Sequence, residues 1–290
     1  MSKLYKVREG GATVTIFVPY DCCNNCPFCI NKAEYANKEG FSAEKICESI
    51  RYIDRITPNC DIVFTGGEPL ADLECMQYML DAVPDTHRIF INTTLPVMHK
   101  YTEDEVVDFL NRNAEKLTCV NVSRHLEPFV EEGSDEIFGR IKASVRINCV
   151  LFADYPSDRL EGFMKRFEKY NLPIQFRSDY TKTTLDNLYD EEDDPIMRDL
   201  DERCEFEEMY GCRIRCNYEY KHNGHRISYH KTLPYSTIPE VGEDGLEYDV
   251  LYDILIKQTG VFHSDWTGVL LDCKAYENVV FEPDDLVMRK

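Results

Sequence analysis

Residues 13–29 read TVTIFVPYDCCNNCPFC, and this stretch decides the fold of the chain. Its first six residues are β-branched or apolar, which predicts a buried strand. The remainder places four cysteines within eight residues, namely Cys22, Cys23, Cys26 and Cys29. Because they follow the strand closely, we expect them on a loop at its carboxyl end, where ligands of α/β folds collect.

Further apolar, β-branched stretches alternate with helical patterns as far as residue 177. This alternation predicts repeated βα units and a parallel sheet. Six strands that all return in the same direction indicate an α/β fold curled into a barrel or part of one. The predicted strands are 13–18, 62–65, 88–92, 118–123, 144–151 and 174–177.

Two predicted helices carry an apolar stripe at i, i+4 and i+7. Thr102 and Glu105 predict a capping box at the start of another helix, and Ser157 is the predicted N-cap of the second striped helix. The stripes are Ile46, Ile50 and Ile53 in the first helix, and Leu160, Met164 and Phe167 in the second.

The chain changes character after residue 185. Residues 186–208 hold twelve acidic and two basic side chains, a composition typical of a solvated helix or linker. Strand-like sequence follows at 213–220 and 226–230, and an apolar segment at 248–256. We therefore predict a core at 1–185, an acidic connector at 186–208 and a small α+β extension at 209–290.

The net charge and the hydropathy of the sequence argue against two classes of partner, nucleic acids and membranes. The 290 residues carry a formal net charge of −20, so we expect the chain to repel phosphate backbones and not to bind nucleic acid. No apolar run approaches the ~20 residues that span a bilayer, and the opening residues lack the apolar core of a secretory signal. These features predict a cytoplasmic protein without a membrane partner.

Thirteen cysteines are too dilute for a disulfide framework, and clustered thiols in a reducing compartment indicate metal or redox chemistry. A closed zinc site would need a fourth Cys or His at matched local spacing, and no second CxxC pair follows up to Thr65. Two cysteine triplets are possible as ligands of an iron–sulfur cluster, one that starts at Cys22 and one that starts at Cys23. The triplet from Cys23 is similar to a bacterial ferredoxin run, but that run needs Cys–Pro where this chain has Ala33 and Glu34.

The triplet from Cys22, C-x3-C-x2-C with Phe28 before the last cysteine, resembles the radical S-adenosylmethionine (radical SAM) enzyme family. Residues 65–69, TGGEP, end the second predicted strand, where that family carries its GGEP motif. The alternative interpretation of the two glycines is a simple turn at the end of the strand, without a binding role. The resemblance covers residues 12–180 and implies a partial (βα)6 TIM-like barrel.

The resemblance also implies a binding site. Cys22, Cys26 and Cys29 would ligate three irons of a [4Fe-4S] cluster, Cys23 would be a spectator, and the fourth iron would take the amino and carboxylate groups of S-adenosyl-L-methionine (SAM). Arg177 either faces the same cavity or pairs with Asp179. The residues implied beside SAM are Phe28, Gly66, Gly67, Glu68, Pro69, Ser123, Arg124, Asn148 and Val150.

The implied chemistry is reductive cleavage of SAM to a 5′-deoxyadenosyl radical, which takes a hydrogen atom from a small-molecule, nucleotide or peptide substrate. It implies an oxygen-sensitive protein and a one-electron reductant such as flavodoxin or ferredoxin. Substrate selection falls mainly to residues after Thr181. The alternative function is a non-catalytic iron–sulfur or zinc-binding interaction module that has kept the ligands.

The C-terminal cysteines leave two further alternatives. An auxiliary cluster would use Cys204, Cys212, Cys216 and Cys273, and a zinc site would use Cys212, Cys216, His222 and His225. Trp266 and the pair Tyr218 and Tyr220 either shape a substrate pocket or pack in the core, and core packing is the favoured interpretation.

Overall fold

A computed structural model of the chain describes residues 4–8, 12–18, 22, 24, 26–29, 40–57, 59–95, 100–130, 132–152, 154–233 and 237–263. The six strands predicted in the first part of the chain are confirmed to within one residue at each end. The strands are β1 Tyr5–Val7, β2 Thr13–Val18, β3 Asp61–Gly66, β4 Arg88–Thr93, β5 Leu117–Ser123, β6 Val145–Leu151, β7 Ile174–Ser178, β8 Glu205–Cys212, β9 Arg215–His222, β10 His225–Thr232, β11 Thr237–Val241, β12 Glu247–Leu251, β13 Asp253–Ile256 and β14 Phe262–His263.

Eleven of these strands form one parallel-rich sheet in the order β14-β13-β2-β3-β4-β5-β6-β7-β10-β9-β8. Strands β2 to β7 stand in sequence order and run parallel, as the βα alternation predicts. β13 joins beside β2 and β10 beside β7, both in parallel. The remaining strands make a small sheet in the order β1-β12-β11.

Helices cover the sheet with apolar stripes, and four of the five described α-helices begin at a polar side-chain cap. Both predicted stripes are confirmed, since all six of their side chains are fully buried. The Thr102–Glu105 capping box is also confirmed. The helices are α1 Ala43–Ile56, α2 Leu73–Ala82, α3 Glu103–Arg112, α4 Leu160–Glu168 and α5 Pro195–Arg203.

The predicted cap at Ser157 is wrong. Ser157 begins a 3-10 turn, Ser157–Arg159, and neither this turn nor α4 has a side-chain cap. The Ser157 hydroxyl lies near the Asp199 carboxylate on α5, where it contributes to lowering the pKa of that carboxyl.

The acidic stretch contains α5, which is capped by Asp194 and buries Ile196, Met197 and Leu200. The apolar segment at 248–256 divides between the two sheets, because β12 lies in the small one and β13 in the large one. Strands from both sides of the predicted connector lie in the large sheet, and the division into units stays a prediction. Within the described ranges no helix has the length and apolarity to cross a bilayer.

The large sheet is curled. Arg215 on β9 donates to Thr13 Oγ1 on β2 at 3.0 Å and pairs with Asp253 on β13. Six strands lie between β9 and β2, and a flat sheet would hold those two strands about 34 Å apart. The edge strands β14 and β8 do not pair with each other, so the described strands form no closed barrel.

Candidate functional site at the carboxyl ends of the strands

Gly66 brings the end of β3 against the end of β2. Its φ is +126°, and a Cβ at this position would lie 2.1 Å from the Val18 carbonyl oxygen. The next amide, Gly67 N, donates to that oxygen at 3.1 Å. Only glycine fits this approach, and it sets the TGGEP turn beside the strand that leads into the cysteines.

Glu68 is buried behind this turn, with 1% of its surface exposed. Its Oε1 accepts from Leu70 N (3.1 Å) and Thr93 Oγ1 (2.7 Å), and its Oε2 from Thr94 N (2.8 Å) and Thr94 Oγ1 (2.9 Å). Burial raises the pKa of Glu68, although these bonds act in the opposite direction. The carboxylate therefore ties the turn to the end of β4, a role that sequence reasoning missed because Thr93 and Thr94 carry no motif.

The cysteine loop lies next to the same turn. Cys22, Cys26 and Cys29 are half-buried, and Cys23 lies outside the described residues. Burial raises the pKa of Cys22, and the negative charges of Glu68 and Cys29 add to the rise. Cys22 thus lies within electrostatic reach of both the second motif and another predicted ligand, so the two motifs meet.

The other two thiols have their own neighbours. Cys26 Sγ donates to Phe129 O at 3.6 Å, and Cys29 N donates to Cys26 O at 3.2 Å. Tyr180, just after β7, has a pKa raised by burial and by the charges of Asp179 and Cys29. Tyr180 is therefore a site neighbour that the sequence did not single out. No three His, Cys, Asp or Glu side chains in the described part are grouped as a single metal ion would require.

Phe28 packs in an aromatic cluster between the cysteine loop and the ends of β5 and β6. Its ring centroid lies 4.9 Å from that of His125, 5.9 Å from Phe129 and 5.7 Å from Phe152. His125 Nδ1 accepts from Val150 N at 3.3 Å. Burial, aided by Arg124, lowers the pKa of His125 to about 4, so the ring is neutral and its proton is on Nε2.

Two buried polar atoms near this cluster lack a hydrogen-bond partner among the residues described. They are His125 Nε2, a donor, and Asn148 Oδ1, an acceptor. Asn148 is 9% exposed and stands two residues before Val150 on β6. Buried polar atoms are rarely left unpaired, so a complementary donor and acceptor in one place indicate a ligand-binding position.

Arg124 is fully buried, and it holds the ends of two strands together. Its guanidinium donates to the carbonyls of Ser123 (2.8 Å), Thr94 (2.5 Å) and Leu95. Its Nε lies 3.9 Å from Glu132. The guanidinium is thereby occupied by the protein itself, whereas Ser123 remains half-exposed at the end of β5.

The C-terminal cysteines do not form a single group, although Cys212 and Cys216 are near each other on the paired strands β8 and β9. Cys204 and Cys212 flank β8 at opposite ends, about 26 Å apart at the usual rise per residue. Cys216 and His222 are likewise six residues apart along β9, about 20 Å. The proposed four-cysteine cluster and the proposed zinc set therefore both fail on distance, and Cys273 and Trp266 lie outside the described residues.

The tyrosine pair is confirmed as core. Tyr218 and Tyr220 are fully buried, Tyr218 stacks on Tyr229 with centroids 6.3 Å apart, and Tyr220 packs against Phe206.

Comparison with known proteins gives partial similarities. A scan against family models finds no match. The chain is 27% identical over 172 residues to a protein of Aquifex aeolicus (strain VF5) named as a candidate L-lysine 2,3-aminomutase. That alignment covers 55% of this chain and 45% of the relative, so the chain spans about half of the relative's length.

Two solved structures of native anSMEcpe with bound AdoMet are also similar to this chain, one with a Cp18Cys peptide and one with a Kp18Cys peptide. Both are 17% identical to it, with TM-scores of 0.46 and 0.43. The matches cover 58% and 57% of this chain and 51% of each of those chains. With TM-scores below 0.5, neither establishes a shared overall fold.

Proposed function

We propose that the chain is a radical SAM enzyme whose cluster and cofactor lie at the carboxyl ends of the parallel strands. Cys22, Cys26 and Cys29 would hold the [4Fe-4S] cluster, and the turn 66–69 would line the amino group of SAM. The observation that carries this proposal is the meeting of two motifs that are distant in sequence: Gly67 N donates to Val18 O at 3.1 Å, four residues before Cys22, and the charge of Glu68 acts on the Cys22 thiol. The similarity to an L-lysine 2,3-aminomutase supports it, since such aminomutases are radical SAM enzymes.

The donor chemistry fits an iron–sulfur cluster. Thiolates are the preferred ligands of such clusters, and each would bind a separate iron, so the thiols need not converge on a single point. The thiols are half-buried, Cys26 lies beside the carbonyl of Phe129, and the charge of Glu68 acts on Cys22. The loop therefore has the ligand type and the partial seclusion that a cluster needs.

The polar environment fits the adenosine part of SAM. Phe28 offers an aromatic face, His125 Nε2 a donor and Asn148 Oδ1 an acceptor, and an adenine base presents matching groups. Ser123 and Val150, at the ends of β5 and β6, would complete the part of the site that binds adenosine. We assign Arg124 to positioning these strand ends, because its donors already face carbonyl oxygens.

When bound, the cluster and SAM supply one-electron reduction and a carbon radical that abstracts hydrogen. The chain's own task is to orient the two and to exclude water and stray side chains. A partial (βα)6 barrel suits that task, and the curl of the sheet supports it. Residues after Thr181 would cover the substrate.

The test is formation of 5′-deoxyadenosine by anaerobically reconstituted, reduced protein. We expect product from the parent and from Cys75→Ala, which removes a half-buried cysteine on α2 outside the loop. We expect none from Cys26→Ala. Equal turnover in Cys26→Ala and the parent would contradict the proposal, and iron binding without any product would indicate the non-catalytic module.

A further inference from the structure

Several arginine side chains lie on the inner face of the curled sheet. Side chains alternate along each strand, and Phe176 of β7 packs against Phe163 of α4 at 5.9 Å on the helix side. Arg177 therefore faces inward, and Val150, its partner on β6, does so too. Arg146 shares that face of β6 because it lies four residues before Val150.

Among the residues that the structure describes, no carboxylate forms an ion pair with either arginine, although the charge of Glu219 acts on Arg146 and that of Asp253 on Arg177. Arg146 Nε donates to the neutral side-chain oxygen of Asn121 at 3.1 Å, and Asn121 in turn donates to Asn92. Arg177 makes no hydrogen bond or ion pair with any residue that the structure describes. Burial lowers the pKa of Arg177 to about 10, and the positive charges of Arg146 and Arg215 act in the same direction.

The other charged groups on this face are compensated. Arg215 pairs with Asp253, and Arg88 pairs with Asp61 at 2.6 Å. Arg226 pairs with Glu219 at 2.8 Å. These carboxylates are therefore already engaged with their own arginines.

His230 adds no charge. It is the register partner of Arg177 on β10, and its Nδ1 lies 2.5 Å from Asn217 Oδ1. Burial and the arginines Arg177, Arg215 and Arg146 hold its pKa well below the ordinary value. Arg146 and Arg177 thus remain without an ion-pair partner among the described residues, in a chain whose net charge is −20.

We propose that Arg146 and Arg177 bind an anionic group of the substrate, a carboxylate or a phosphate. The role as a substrate site rests on the proposed function, whereas the anion site is inferred from the shared inner face of the two arginines and from their electrostatic influence on each other. Enclosing an unpaired charge is costly, and a guanidinium fork matches the paired oxygens of these anions. Arg177 is the next-to-last residue of β7, whose continuation carries Tyr180 near Cys29, so the anion would lie close to the proposed cofactor.

Anion binding is testable on the full chain without cluster or SAM. Inorganic phosphate and succinate are the probes, measured by calorimetric titration and by their effect on Tm at low ionic strength. We expect the parent to bind at least one of them, and the probe that binds identifies the group. The control is Arg140→Met, which removes an exposed arginine paired with Glu103 and Asp104, and it should bind as the parent does.

Arg177→Met should weaken binding by about tenfold or more. Without anion, the same variant should have a raised Tm, because it removes an unpaired, enclosed charge. If Arg177 instead stabilised the fold, its replacement would lower the Tm. Arg146→Met provides a second variant with the same expectation for binding.

The proposal is overturned if the parent binds neither probe, if Arg177→Met binds like the parent, or if its Tm falls. The 5′-deoxyadenosine assay reports separately on the enzyme. Product without anion binding would remove only the anion site. Arginine-dependent anion binding in a protein that forms no product would keep the anion site and remove its assignment to a substrate.

Discussion

At the residue scale, several residues of the site are held in place by contacts with residues that are distant in the sequence. The close approach of the Val18 carbonyl leaves no room for a side chain at Gly66. Glu68 accepts hydrogen bonds from two threonines at the end of β4, and His125 accepts one from a backbone amide of β6. Glu68 and the glycines were identified from the TGGEP pattern. His125 was not, because a lone histidine after a strand carries no signal until its partners are known.

Gly66→Ala should lower the free energy of unfolding by about 3 kcal/mol or more, because the new methyl meets backbone at a φ that alanine avoids. Urea denaturation measures this. The matched control is Gly162→Ala, which lies within α4 in open space and should stabilise the protein by up to about 1 kcal/mol. An unchanged midpoint for Gly66→Ala would show that the close approach is absent.

His125 should make stability depend on pH. Its folded pKa is about 4 against an ordinary 6.5, so between these values the unfolded chain binds a proton that the folded chain does not. Stability therefore falls as the pH drops from 6.5 towards 4, by about 1.4 kcal/mol per pH unit. His125→Asn keeps an acceptor for Val150 N and should reduce this slope.

The slope should be reduced rather than abolished, since His263 also has a pKa lowered to about 4 by burial. Denaturation curves at several pH values measure it. Identical slopes in His125→Asn and the parent would show that this ring is not held neutral by the fold.

At the element scale, the strand ends are held in register by side chains. Arg124 joins the ends of β4 and β5, and Glu68 joins the β3 turn to β4. The strands themselves followed from their apolar pattern, with errors of one residue. The ties between them did not, because they link residues about 25 to 30 positions apart.

Arg124→Gln should cost about 3 kcal/mol of stability, because three carbonyl oxygens lose a charged donor. Arg112→Gln, at the exposed end of α3, is the matched control and should change little. Thermal unfolding compares the two. Equal Tm values would assign Arg124 to a ligand rather than to the strand ends.

At the scale of the whole molecule, the curl of the sheet brings distant strands together. β9 meets β2 and β13 through Arg215, and the inner face gathers arginines from β6 and β7. Neither feature is visible in the sequence, where Arg177 could equally have paired with Asp179. The length of β8 separates Cys204 from Cys212.

Anaerobically reconstituted protein should therefore contain about four irons per chain, the content of one [4Fe-4S] cluster. Iron analysis with absorption and EPR spectra measures this. Replacing Cys204 by Ala should leave the iron content unchanged, because this thiol contacts Met164 on α4 rather than another cysteine. About eight irons would contradict the separation of the C-terminal thiols.

The sequence by itself determined the strands of the parallel sheet, the helix stripes and the two motifs, since these depend on local periodicity and on residues adjacent in the chain. Which side chains meet depends on the tertiary structure: Glu68 meets the threonines at the end of β4, His125 meets β6, and Arg146 and Arg177 share the inner face without an ion-pair partner among the described residues. The physical reason is that burial, hydrogen bonding and charge act between atoms brought close by the curl of the sheet, whatever their separation along the chain.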